Sequence, residues 1–173
     1  RAEEAKTLFN ELNDSHCSSL DQCWKEINSS LLPAFGLEVA TISLHGHRYH
    51  AVINHHVDDI AKQAFSTLTP HVKAYIRLLL EFLTEQDQGS RMDLINIRTK
   101  ADKPYKILTI QESELALDNL IDEHWLICND NENRRASMSQ EYTLGPRSYL
   151  ELGHLLKDFG MDDMPQMIYH RAV

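Results

Sequence analysis

The 173-residue sequence predicts a mainly α chain with small β wings, organised as tandem winged-helix domains. Three observations predict this class. The apolar period switches from helical to alternating near residue 37 and again near residue 125. Each switch follows a run of helices, the order of a helix-turn-helix with a two-stranded wing. Single glycines and prolines punctuate the runs where turns are needed. The first winged-helix domain is assigned to residues 1–56. Its opening helix is expected upstream, because the chain starts without Met inside a helical pattern. The second domain is assigned to 57–160, and 161–173 is read as a linker.

In the first copy, Ala5, Leu8, Phe9 and Leu12 recur at helical spacing before Asn13-Asp14-Ser15 closes the run. Ser19 can cap a second helix whose face is Leu20, Cys23, Trp24, Ile27 and Leu31, with Pro33 and Gly36 ending it. Residues 37–44 and 49–53 alternate around His45-Gly46-His47, which reads as a hairpin with glycine in the turn. A bridging helix is expected over 57–65.

Thr69 as cap and Pro70 in the first turn open the strongest element, a helix to about Gln86. Val72, Tyr75, Ile76, Leu79, Leu80 and Leu83 form one apolar face, and Lys73, Arg77, Glu81 and Glu85 a charged stripe. Ion pairs of that kind contribute about 0.2–0.5 kcal/mol each, against roughly 1.5–3 kcal/mol per fully buried large apolar side chain, so burial fixes this helix. Leu78 and Phe82 lie off the main face and imply contact on a second side. Residues 92–99 carry a weaker helical pattern, and 100–105 form a loop. Thr109 and Glu112 fit a capping box opening a helix with Ala116, Leu117, Leu120 and Ile121 inside. A second hairpin follows, with strands at 125–128 and 142–144 around a polar loop. Gly145-Pro146 begins a last helix that Gly160 ends.

The net charge of −9 means that nucleic-acid phosphates repel the chain unless a local basic patch overrides the total. Three cysteines, Cys17, Cys23 and Cys128, are an odd number without a pairing pattern, which predicts a reducing compartment rather than a disulfide framework. No apolar run approaches the roughly 20 residues of a membrane-spanning helix, and no membrane partner is expected. Nucleophile elbow, phosphate loop and paired-carboxylate motifs are all missing from these residues. No catalytic, cofactor-binding or metal-ligating residue is therefore assigned. The histidine-dense stretch His45, His47, His50, His55 and His56 is read as exposed wing histidines, since alternation sends His47 and His50 to opposite faces.

Two stretches carry a resemblance. Asn119-Leu120-Ile121-Asp122-Glu123-His124-Trp125-Leu126 is followed after the wing by Tyr142-Thr143-Leu144-Gly145-Pro146-Arg147-Ser148-Tyr149-Leu150-Glu151-Leu152. This pattern resembles the tandem winged-helix region of the RING-bearing non-SMC-element subunit of the SMC five-six complex: a recognition helix ending in Trp-Leu, a variable wing, and a Leu-x-x-Arg-x-x-x-Glu helix. Glu26 to Leu31 and the strand to Leu44 are similar to the first winged helix of that family. The resemblance implies a nuclear, chromatin-associated scaffold in DNA repair and recombination that binds a MAGE-type subunit and a kleisin subunit. It also implies a zinc-binding RING after the last winged helix, so that 161–173 leads toward it. The full-length family acts as a RING-type ubiquitin ligase component, meeting a ubiquitin-conjugating enzyme only through that RING. No cysteine follows Cys128, so these residues cannot supply the RING's zinc ligands, and no cofactor is expected in them.

The alternative function is a DNA-binding winged-helix regulator. Its recognition helix would need cations, whereas residues 110–123 hold Glu112, Glu114, Asp118, Asp122 and Glu123 and no Lys or Arg. The best case for a weak or indirect DNA contact is Lys100, Lys103 and Lys106, next to Arg98, with the wing residues Arg134 and Arg135. The plainer reading is a solvated loop. Partner-binding candidates come from apolar surplus: Leu78, Phe82, Leu115 on a polar helix side, and Met161, Met164, Met167 and Ile168 after the last helix.

Overall fold

The computed structural model describes residues 2–12, 19–30, 33–54, 68–128 and 140–170. The chain divides into two units, Arg1–Ile60 with Pro165–Val173, and Ala61–Met164. The expected bridging helix over 57–65 lies outside the described residues.

In the first unit, helices α1 (Ala2–Leu12) and α2 (Leu20–Ser30) precede a hairpin of β1 (Leu37–Leu44) and β2 (His47–Asn54). The turn is tight because His45 and Gly46 both take positive φ, 49° and 77°, the combination that suits a two-residue hairpin. Leu8, placed by spacing on the inner side of α1, is instead 56% exposed.

The expected alternation of β1 does not hold: Glu38 to Ile42 are buried without a break. β1 is the central strand of its sheet: a third strand, β6 (Met167–Tyr169), pairs antiparallel with it and makes the order β2-β1-β6. Ile42 faces Met167, Thr41 faces Ile168 and Ala40 faces Tyr169 across that ladder. A central strand has its backbone paired on both edges, where a two-stranded wing leaves one edge open. Within 161–173, read from the sequence as a linker, Met167–Tyr169 supply a strand to the first unit's sheet. The stretch is short and polar-interrupted, and only a partner strand 120 or more residues away gives β6 its hydrogen bonds.

The second unit follows its expected order, with α3 (Pro70–Gln86), β3 (Gly89–Ser90), α4 (Arg91–Asn96), a 3-10 turn at Ile97–Lys100, α5 (Ile110–Asp122), β4 (Leu126–Cys128), β5 (Glu141–Leu144) and α6 (Pro146–Asp158). Thr69 accepts from the Val72 backbone N–H at the start of α3. Both halves of the Thr109/Glu112 capping box are formed at α5. Two-residue β3 was not legible in the sequence. It pairs with β5 and completes the order β3-β5-β4.

The core gathers the apolar face of α3, including Tyr75, Leu79 and Leu83, against Leu94, Leu117, Leu120, Trp125, Leu144, Leu152 and Leu156. Tyr75 meets its polar need by donating its hydroxyl to the Leu94 carbonyl at 2.9 Å. Gly145 marks the tightest approach: a Cβ there would lie 2.3 Å from the His124 carbonyl oxygen. Its N–H donates to the Trp125 carbonyl at 2.7 Å, locking the start of α6 to the end of α5.

Candidate functional site

The helical period of α5 puts Glu112, Leu115, Ala116, Asn119, Leu120 and Glu123 on one side. Facing them are Leu68, just before α3, and Val72 and Ile76 in its first two turns, with Trp125 below. Together they line an apolar groove of about 210 Å³. Leu115 is 64% exposed at its lip, and Ile107 and Ile110, just before and at the start of α5, are 51% and 54% exposed.

The rim is acidic. Glu112 holds the Thr109 backbone N–H and hydroxyl at 2.7 and 2.8 Å. Those hydrogen bonds, led by the backbone one, hold its carboxyl below the ordinary value. Outside the groove lining, Asp118 is paired with Arg91 at 2.8 Å and Asp122 is exposed. Glu123 accepts from the Trp125 indole N–H and from Arg147, both at 3.0 Å. Arg147 also stacks 4.3 Å from the centre of the Trp125 ring and pairs with Glu151 at 2.6 Å. The Trp-Leu and Arg-x-x-x-Glu elements of the sequence pattern thus meet in one cluster that fixes α5 to α6.

Of the partner-binding candidates, Leu115 alone sits in this groove. Leu78 and Phe82 are half-buried against the second unit's own core, and the Lys100 ammonium lies 5.9 Å over the Phe82 ring. Their position off the main stripe of α3 is explained by packing within the unit. The methionine reading needs correction. Met161 is only 9% exposed and belongs to the core, with its N–H bonded to the Leu156 carbonyl, and Met164 packs against the same core. A helix end that turns back carries its apolar side chains inward, which spacing alone does not reveal. Met167 and the 40% exposed Ile168 lie in β6 of the other unit.

Lys100, Lys103 and Lys106 are exposed, as a solvated loop requires. Lys106 donates its backbone N–H to His71 Nδ1 at 3.0 Å. Arg98 is half-buried and bonds the Ile95 carbonyl. Arg134 and Arg135 lie outside the described residues, as do His55, His56 and Cys17. Among the described residues no three His, Cys, Asp or Glu side chains are grouped to hold a metal. Cys23 and Cys128 are free thiols and half-buried.

Sequence reasoning missed a polar cluster in the first unit. His170 is 4% exposed, and its Nε2 and the Nδ1 of His50 both lie 2.6 Å from the Thr41 hydroxyl. Asn28 accepts from the Val39 N–H at 2.7 Å and donates to the Val39 and His170 carbonyls at 2.9 and 3.0 Å. One signal was available: Asn28 stands four residues after Trp24, a polar residue on an apolar stripe. Nothing in its spacing pointed to His170.

Burial, then the nearby Arg48 and the neighbouring His170, pushes His50 below its ordinary value of 6.5. Burial likewise lowers His170, opposed first by Asp21, with Arg48 and Lys25 lowering it further and Glu38 raising it. Between the lowered folded values and 6.5 the unfolded chain binds more protons, so stability is full above pH 6.5 and falls on acidification. Protection factors at the β1 and β6 amides, corrected for the slower intrinsic exchange at lower pH, should therefore fall between pH 7.5 and 5.5. Protection that holds steady or grows over that range would contradict the assignment.

The fold and the groove define a tandem winged-helix chain whose recognition-helix face is apolar and acidic. The chain is similar to a chain in a solved structure of an Nse1-Nse3-Nse4 complex, with a TM-score of 0.65 and 22% sequence identity. The match covers 90% of this chain and 63% of that one, and at this identity it is a likeness of fold. No family model matches the sequence, and no curated protein matches it.

Proposed function

We propose that this chain is a protein-interaction scaffold of an SMC five-six type assembly, binding a MAGE-type and a kleisin subunit. It would serve DNA repair and chromosome maintenance in the nucleus. The observation that carries the reading is the exposed face of α5. There Leu115 stands among Glu112, Asp118, Asp122 and Glu123, where a groove-reading helix needs Arg and Lys. Carboxylates set against phosphates cost affinity, and an exposed leucine beside an apolar groove gains by burial. The fold likeness to a chain of an Nse1-Nse3-Nse4 complex supports the same class of partner. Ubiquitin-ligase activity and its zinc belong, in this reading, to a longer protein carrying a RING.

Mixing the chain with a MAGE-type subunit at micromolar concentration should give one comigrating peak in gel filtration. Two separate monomer peaks would count against the scaffold. Fluorescence anisotropy with duplex DNA at low salt tests the regulator. Exposed Lys100, Lys103 and Lys106 allow a weak contact, and saturable, steeply salt-dependent binding by the chain alone would favour that second reading.

A further inference from the structure

We infer that the groove between α3 and α5 receives an amphipathic helix of a partner protein, aliphatic on the buried face and flanked by Lys or Arg. This rests on the scaffold reading and adds the chemistry of the docked segment. The groove floor is aliphatic and aromatic, from Val72, Ile76, Leu120 and Trp125, and Leu115 extends it into solvent. Side chains spaced i, i+3, i+4 and i+7 on a docked helix would enter such a slot and shed water together.

Charge selects the occupant. Glu112 and Glu123 stand at the two ends of the groove, separated by roughly 16 Å of helix at 1.5 Å rise per residue. Asp122 is exposed two turns beyond Leu115, next to Glu123 at the far end. At the far end Arg147 is shared between two carboxylates, Glu123 and Glu151, which leaves that end negative. At the near end Lys106 and His71 lie close enough to Glu112 to weaken its field without removing its charge. An acidic or neutral helix would meet repulsion or no guidance at these ends, and a cationic one is steered in.

The test uses the whole 173-residue chain and two synthetic helical peptides. One carries Leu at i, i+3, i+4 and i+7 with Lys at both flanks, and the other has Glu in place of Lys. In amide NMR titrations the Lys peptide should shift Leu115, Ala116, Asn119 and Leu120 saturably, and the Glu peptide should not. Leu115→Ser should weaken the Lys peptide on the order of tenfold, the burial of one leucine converted to affinity. Asp122→Lys should weaken it several-fold and flatten its salt dependence. Both side chains are exposed, so the variants' own spectra verify the fold. Shifts confined to other surfaces, equal binding of the Glu peptide, or undiminished binding to Leu115→Ser would overturn the inference. Comigration with a MAGE-type subunit reads the scaffold proposal separately and stands or falls without this groove.

Discussion

Trp125→Ala is expected to destabilise the second unit by about 3–5 kcal/mol, the usual cost of truncating a large buried aromatic. The ring is 1% exposed and forms the floor where α5, β4 and α6 converge. Its loss removes more than volume. The indole N–H leaves Glu123, and the Arg147 guanidinium loses the ring face 4.3 Å below it, a contact worth roughly 0.5–2 kcal/mol. Collapse into the gap is opposed by the Trp125 backbone, which stays pinned through its N–H to Leu120 and through its carbonyl to Gly145 and Ser148. Urea denaturation followed by hydrogen exchange at Leu79 and Leu117 reads the effect, and Trp24, then the only tryptophan left, reports on the first unit. A loss below about 1 kcal/mol would mean that the site relaxes in a way these contacts do not permit.

Asn28→Ala should loosen the first unit by about 3 kcal/mol, on the order of a hundredfold in protection at the β1 and β6 amides. Asn28 behaves as one residue of strand. Its amide pairs with both backbone groups of Val39, one residue before the β6 ladder begins at Ala40, and also holds the His170 carbonyl. Truncation leaves three backbone groups without this partner, each a penalty of about 1–3 kcal/mol where water cannot reach. Asn28→Asp keeps an acceptor for the Val39 N–H but turns a carboxylate oxygen onto the Val39 and His170 carbonyls in a site only 7% exposed, so at neutral pH it should lose at least as much protection as alanine. Equal protection in all three proteins would show that β6 is held by its ladder alone.

The helices were the most legible part of the chain. The caps at Thr69 and Thr109 and the six-residue face of α3 follow from local chemistry, and each reappears in the structure. The acidic character of α5 was equally plain, because charge needs no coordinates. Less legible was which surplus apolar residues stay at the surface. Leu78, Phe82, Met161 and Met164 all look spare on a helical wheel, yet each has a neighbour within its own unit. Leu115 was read from the same kind of excess and is 64% exposed. The two outcomes differ only in which neighbours the chain brings near.

Local periodicity, capping and net charge thus determined the winged-helix order and the carboxylate-bearing face of α5, since each depends on residues within a turn or two of one another. The third strand β6, the Thr41, His50 and His170 cluster and the groove against α3 were decided only by tertiary structure. Their partners lie up to 129 residues apart in sequence. Hydrogen bonds and burial at that separation are set by where the backbone is carried, and no spacing rule encodes it.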